Sequence, residues 1–149
     1  MSDERFFEDV AVGESTSTGT YEMTAEEIVA FGEAYDPQPM HTDPDAATAS
    51  AFGGLIASGW HTAAATMRLL VDGPLGDERI VGAAGVDELR FLEPVRPGDA
   101  LSVETEVLAS EPWDDARGLV RSAVTTTRED GTTVLSMVAL VLYERRGEQ

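Results

Sequence analysis

The sequence contains no lysine and no cysteine. Without cysteine there is no disulfide and no thiolate zinc site. Without lysine, all positive charge comes from ten arginines, set against 28 acidic residues, and the formal net charge is −18 at pH 7. A nucleic-acid binder needs a basic face to replace phosphate counterions, and this composition offers none. An anionic membrane surface would repel the chain. Long apolar runs are missing as well, since no segment approaches the ~20 residues of a spanning helix. The start, Met1-Ser2-Asp3-Glu4-Arg5, lacks the basic flank and apolar stretch of a secretory leader. These absences predict a soluble cytoplasmic protein that binds neither nucleic acid nor membrane.

What is present suits a single core. The chain has 149 residues and is 42% hydrophobic, which predicts one domain over residues 1–149. The acidic residues are spread along the chain, so they form no tail. Their mutual repulsion weakens a compact fold at ordinary salt. At ~1 M salt the Debye length falls to ~3 Å and most of it is screened. Excess Asp and Glu with no Lys resembles proteins of salt-accumulating halophiles. A high-GC genome, which also replaces Lys with Arg, is the alternative.

Residues 6–21 read as an extended lead-in with a turn at Gly13. Thr24 and Glu27 have capping-box spacing, and Ile28, Phe31 and Tyr35 follow at helical intervals, so residues 25–35 form an amphipathic helix. Pro37 ends it at Asp36. Asp43 and Pro44 open a second short helix. Residues 60–71 are apolar nearly all round, which predicts a helix buried on most sides. Beyond them the pattern turns to β. Residues 80–92 are strand-like, and residues 93–99 form a turn. Leu101, Val103, Thr105 and Val107 alternate with polar residues. Glu129-Asp130-Gly131 separates two further strands as a hairpin, and the last strand is apolar on both parities, as a central one should be. The class is α+β, with a long antiparallel sheet beside one mostly apolar helix. Composition alone does not choose a wrapped sheet over a two-layer sandwich.

The two histidines, His41 and His61, both lie in the most unusual stretch. Asp36-Pro37-Gln38-Pro39-Met40-His41 sets a carboxylate and an imidazole five positions apart on a proline-stiffened loop. Two prolines restrict the backbone, so the pair is held at low entropic cost. Histidine titrates near neutral pH, and such a pair suits water activation. The plain alternative is that Asp36 caps the turn and His41 packs or caps the next helix. Two histidines with acidic residues at no ligand spacing do not suggest a metal site.

The stretch from Tyr35 to Pro44, then Ala46-Ala47, then Phe52-Gly53-Gly54-Leu55-Ile56-Ala57-Ser58-Gly59-Trp60-His61-Thr62, resembles the hydratase signature of MaoC-like (R)-specific enoyl-CoA hydratases. Phe91-Leu92-Glu93-Pro94-Val95-Arg96-Pro97-Gly98-Asp99 is similar to the same family's next landmark. The resemblance implies the hot-dog fold, a sheet wrapped around a central helix, and a homodimer or higher homo-oligomer that completes the substrate tunnel. It implies that Asp36 and His41 hold the water added to C3 of a trans-2-enoyl thioester, giving a (3R)-3-hydroxyacyl product. It gives the oxyanion-binding backbone N–H to Gly59. Coenzyme A is part of the substrate, and no separate cofactor or metal is implied.

Around the pair, Gln38 stands where the family often has Asn. Met67 stands where some members have Ser, and reads as an apolar pocket wall or as core. Ser58 and His61 flank the same helix start as substrate-binding candidates, with His61 alternatively a backbone-bonded helix residue. Arg90 and Arg96 are candidates for the phosphates of coenzyme A, or plain surface arginines. A thioesterase of the same fold lacks the Asp-x4-His loop. A non-catalytic acyl-thioester binding module would not need it.

Overall fold

Side-chain caps start the helices where the sequence places them. The computed structural model describes residues 4–147; Met1, Ser2 and Asp3, which entered the reading of the N-terminus, lie outside that range. Thr24 accepts from the Glu27 N–H and starts α1, Ala25–Tyr35, which Asp36 ends. Asp43 accepts from the Asp45 and Ala46 N–H groups and starts α3, Pro44–Thr48. Ser58 accepts from the Trp60 N–H and starts α4, Gly59–Asp72. Between α1 and α3 the structure differs from the expected loop, because Pro39–Thr42 closes one turn of helix, α2. Proline at a first helical position is pre-set for that geometry, so its stiffness here serves a helix.

The strands are β1 (Ser15–Ser17), β2 (Tyr21–Glu22), β3 (Ile80–Phe91), β4 (Ala100–Pro112), β5 (Arg117–Arg128) and β6 (Thr133–Glu144). They form one antiparallel sheet in the order β1-β4-β5-β6-β3, with β2 beside β4. As its double-parity apolar pattern requires, β6 is an interior strand. The lead-in holds β1, β2 and a 3-10 turn at Phe7–Asp9 that the sequence pattern did not reveal.

The α4 helix packs into the sheet, as the hot-dog fold requires. Leu69 and Leu70 join Met23, Ile28, Leu101, Val103 and Leu135 in the main core. Met23, Ile28, Leu101, Val103 and Leu135 are fully enclosed, and each large apolar side chain so buried contributes about 1.5–3 kcal/mol. A polar pin runs through this core, the 2.7 Å hydrogen bond between the Thr66 and Thr126 hydroxyls that ties α4 to β5.

The helix is not buried on most sides. His61, Thr62, Ala65, Thr66, Leu69 and Leu70 face the core, while Trp60, Met67 and Val71 are 59%, 46% and 52% exposed. The apolar periodicity covers two surfaces, and one chain's sheet covers only one of them. The outer edge of β3 has no strand partner among the described residues, and Val81 and Val86 on it are also exposed. Near its end β3 carries a bulge between Asp87 and Arg90, where Glu88 takes φ +53. An extra residue at a bulge re-aims the side chains after it, here Arg90 and Phe91.

Candidate functional site

Asp36 and His41 meet. Asp36 sits at the end of α1 and His41 on α2, and His41 Nε2 lies 3.4 Å from Asp36 Oδ2. The approach of the two helices depends on Gly32. A Cβ there would stand 2.9 Å from the His41 carbonyl oxygen and 3.0 Å from its Cβ. Glycine inside a helix costs about 1 kcal/mol relative to alanine, so its presence at that position goes with the close contact.

The hydrogen bonds assign the roles. His41 is buried, and its Nδ1 is 2.8 Å from the Ile56 carbonyl oxygen. A carbonyl only accepts, so Nδ1 carries the proton and Nε2 presents a lone pair towards Asp36. Asp36 Oδ1 accepts from the Gln38 amide at 2.6 Å, and Oδ2 accepts from the Ser58 hydroxyl at 2.7 Å. The Gln38 amide first, then the Ser58 hydroxyl, hold the Asp36 carboxyl below the usual carboxylate range. Such a group favours folding above its unfolded value, and that contribution is lost as pH falls through its lowered folded value. The site therefore sets a pinned carboxylate 3.4 Å from the second imidazole nitrogen. One water or one transferable proton fits the chemistry of that gap.

Gly59 is the first residue of α4, and its N–H donates to no acceptor among the described residues. A helix start leaves such groups free and electropositive. Phe91 packs directly on Gly59, because a Cβ there would come within 2.4 Å of the ring. His41, Gly59, Thr62, Phe52, Phe91 and Val95 line one cavity of about 280 Å³. Imidazole and free N–H thus share a pocket with apolar walls.

The other candidates fall in different places. Ser58 is 1% exposed and does not line this cavity, and its hydroxyl serves Asp36 and the Trp60 N–H. Gln38 also bonds to Asp36. Met67 is not core, being 46% exposed and on the wall of a second cavity. Arg96 donates to the Phe52 carbonyl at 2.7 Å, on the rim of the first cavity. Arg90 is exposed and precedes Phe91, with only a 3.5 Å contact to the Leu89 carbonyl. Every arginine except these two has a carboxylate partner among the described residues.

His61 makes no hydrogen bond to backbone through its ring among the described residues. It is buried, its Nδ1 has no hydrogen-bond partner, and its ring stacks on Phe31 at 4.8 Å. This stack braces α1 against α4. Burial pushes its imidazole below the ordinary value, while Glu27 pulls the other way. The unfolded chain therefore takes up this proton first as pH falls, and stability drops below about pH 6.5. His61→Phe keeps an aromatic ring beside Phe31 and removes the titration. Its melting temperature should fall less steeply than that of the unsubstituted protein between pH 7 and pH 5, and parallel slopes would refute this account.

Three functional residues escaped the sequence reading. Ile56 acts through its carbonyl, which no side-chain pattern reveals. Phe91 acts by contact with a residue 32 positions away. Gly32 had a signal, a glycine inside a helix, that went unused.

Comparison with known proteins places the chain in a family. The family model described as MaoC like domain matches residues 8–129. The chain is 45% identical to the MaoC-like dehydratase from Rhodospirillum rubrum, with a TM-score of 0.87 over 97% of this chain and 99% of that one. It is 30% identical to the protein YdeM of Bacillus subtilis over 93% of this chain and 98% of the relative. It is 33% identical to the 3-hydroxybutyryl-CoA dehydratase of Methylorubrum extorquens over 96% of this chain and 87% of the relative. Two further curated relatives are longer proteins, of which the chain spans 29% and 34%.

Proposed function

Because the chain belongs to the MaoC-like dehydratase family, we propose that it reversibly hydrates a trans-2-enoyl-CoA to the (3R)-3-hydroxyacyl-CoA. The observation that carries this reading is the locked tautomer of His41, with Nε2 facing an ionised Asp36 beside the free N–H of Gly59. Both oxygens of Asp36 already accept hydrogen bonds, so it is the poorer proton acceptor and the better orienting group.

The steps balance on one proton. Water gives a proton to His41 Nε2 as its oxygen bonds to C3. The double-bond electrons move through C2 onto the thioester oxygen. The Gly59 N–H donates to that oxygen while the charge is there. The Nε2 proton then passes to C2 and the carbonyl re-forms, leaving His41 as it began. Asp36 holds the water and stabilises the imidazolium between the two transfers. The reverse order dehydrates.

Arg90 and Arg96, the arginines without carboxylate partners among the described residues, hold the phosphates of coenzyme A in this reading. A second copy belongs to it as well. The unpaired edge of β3 and the exposed Trp60, Met67 and Val71 are the kind of surface that pairs with another sheet edge.

The test is the loss of enoyl absorbance from crotonyl-CoA, with the chirality of the product determined. A (3R) product is expected, and no loss of absorbance overturns the reading. In the same assay Arg96→Ala should raise KM several-fold for the CoA ester and leave the pantetheine ester unchanged. For the unsubstituted protein, KM for the CoA ester should fall and the melting temperature rise as salt approaches ~1 M, where repulsion is screened. Salt-independent values would favour the high-GC account of the composition.

A further inference from the structure

Thr62 follows Gly59 by one turn of α4 and lines the same cavity. It is 3% exposed. A threonine inside a helix commonly donates to the carbonyl one turn back. Thr66 does so, giving its hydroxyl to the Thr62 carbonyl at 2.8 Å. The Ser58 carbonyl stands in the same relation to Thr62, and it accepts the Thr62 N–H at 3.1 Å and the His61 N–H at 2.9 Å. The Thr62 hydroxyl does not use it, and has no other partner among the described residues. Nor is that hydroxyl sealed in, because the sealed, unpartnered side-chain polar atoms among the described residues are His61 Nδ1 and Glu78 Oε2. The open space it meets is the cavity that Thr62 lines.

The other polar side chains on that cavity are His41 and Glu93. A carboxylate only accepts, and His41 Nδ1 is committed to the Ile56 carbonyl. Thr62 is thus the side chain that brings a spare donor. Helix side chains lean towards the N-terminus, and residues three apart share a face, with Cβ positions ~5–6 Å from each other. The hydroxyl therefore leans over the first turn, where the Gly59 N–H is free. One oxygen atom at ~2.9 Å from each can accept from both donors.

We propose that Thr62 is a second catalytic donor, whose hydroxyl joins the Gly59 N–H in holding the thioester oxygen of the substrate while negative charge gathers there. The assignment rests on the hydratase reading, which supplies the thioester. The hydroxyl keeps its proton throughout. The attacking water is the poorer partner. Both its protons point to His41 and Asp36, and a hydroxyl donating to its oxygen would tie up the electron pair that must reach C3. In the free protein an unpaired, buried hydroxyl costs stability. A substrate oxygen that gains charge offsets that cost where it lowers the barrier.

Thr62→Val removes the hydroxyl and keeps the shape, and Thr62→Ser keeps the hydroxyl. In Thr62→Val, kcat for crotonyl-CoA should fall about 10²-fold with little change in KM, and Thr62→Ser should recover most of the rate. Thr62→Val should also melt at a higher temperature, since it loses a buried hydroxyl that has no partner. A hydroxyl that served the fold would give a lower melting temperature or a chain that does not fold, and either result overturns the proposal. The infrared carbonyl band of bound butyryl-CoA, a saturated ester that is not turned over, reports the contact itself. Hydrogen bonds to the thioester oxygen lower its frequency. The band should move up in Thr62→Val and stay low in Thr62→Ser. An unmoved band, or a kcat within about threefold of the unsubstituted protein, refutes the second donor. A band that Thr62→Val shifts, in a protein that hydrates no enoyl ester, would refute the reaction and leave the thioester contact standing. Hydration that Thr62→Val does not slow would do the reverse.

Discussion

Replacing His41 with alanine should slow crotonyl-CoA hydration by about 10²–10⁴-fold, the range that a positioned acid–base group supplies. In the proposed reaction the residue accepts, carries and returns the one proton that moves, and no second imidazole can substitute. His61 is buried against Phe31 and lines neither cavity. Asp36→Asn should cost a similar factor for a different reason. The carboxylate accepts from both Gln38 and Ser58, whereas an asparagine side chain turns a donor towards one of them. With its oxygen towards Gln38 the amide can donate to the Ser58 oxygen instead, so the geometry is kept while the water loses its orienting charge. The two losses should not add, because both residues act on one water, so the double variant should be close to the slower single one. His41→Ala also orphans the Ile56 carbonyl and should lower stability by about 1–3 kcal/mol, while melting stays cooperative. Rates within fivefold of the unsubstituted protein in both variants would refute the assignment.

Gly59→Ala should have the next largest effect. The added Cβ would lie 2.4–2.6 Å from three ring atoms of Phe91, too close for any side chain. Phe91 is half-exposed but packs edge-on against Trp60 at 5.6 Å, so the ring moves only by disturbing that contact. The strain falls on the start of α4, which in the proposed reaction presents the N–H to the substrate. Losing one such donor costs about 10²–10³-fold in rate. Overpacking should lower stability by about 1–3 kcal/mol. Phe91→Ala in the same chain removes the clash, and it should restore most of the lost rate. If the double variant stays as slow as Gly59→Ala alone, the glycine is required by something other than the ring.

Local chemistry is where the sequence spoke clearly. Thr24, Asp43 and Ser58 each cap a helix within a few residues, and the Glu129-Asp130-Gly131 turn sets the last hairpin. The meeting of Asp36 and His41 was legible for the same reason, since the two are close in sequence and sit on a stiff segment. The helical turn at Pro39 was hidden because prolines signal a break more often than a start. The exposed stripe of α4 was misread because periodicity reports apolar surface and does not say which molecule covers it. The service of Ser58 to Asp36 crosses 22 positions, and that of Phe91 to Gly59 crosses 32. Contacts of that span arise from the packing of elements, and no local pattern encodes them.

The carbonyl of Ile56 is part of a backbone segment fixed on both sides. Its own N–H donates to the Met40 carbonyl, and the next N–H, of Ala57, donates to the Val95 carbonyl. The tautomer of the His41 ring is thus fixed by a main-chain atom. No exchange of side chain at position 56 removes that oxygen. Evolution is free to vary the apolar residue there with the demands of packing, and the base keeps its tautomer through the drift. Conversely, an engineer wishing to alter the acidity of the ring gains nothing from conventional mutagenesis at this position. Replacing the peptide link after Ile56 with an ester, which weakens the carbonyl as an acceptor, would reach it.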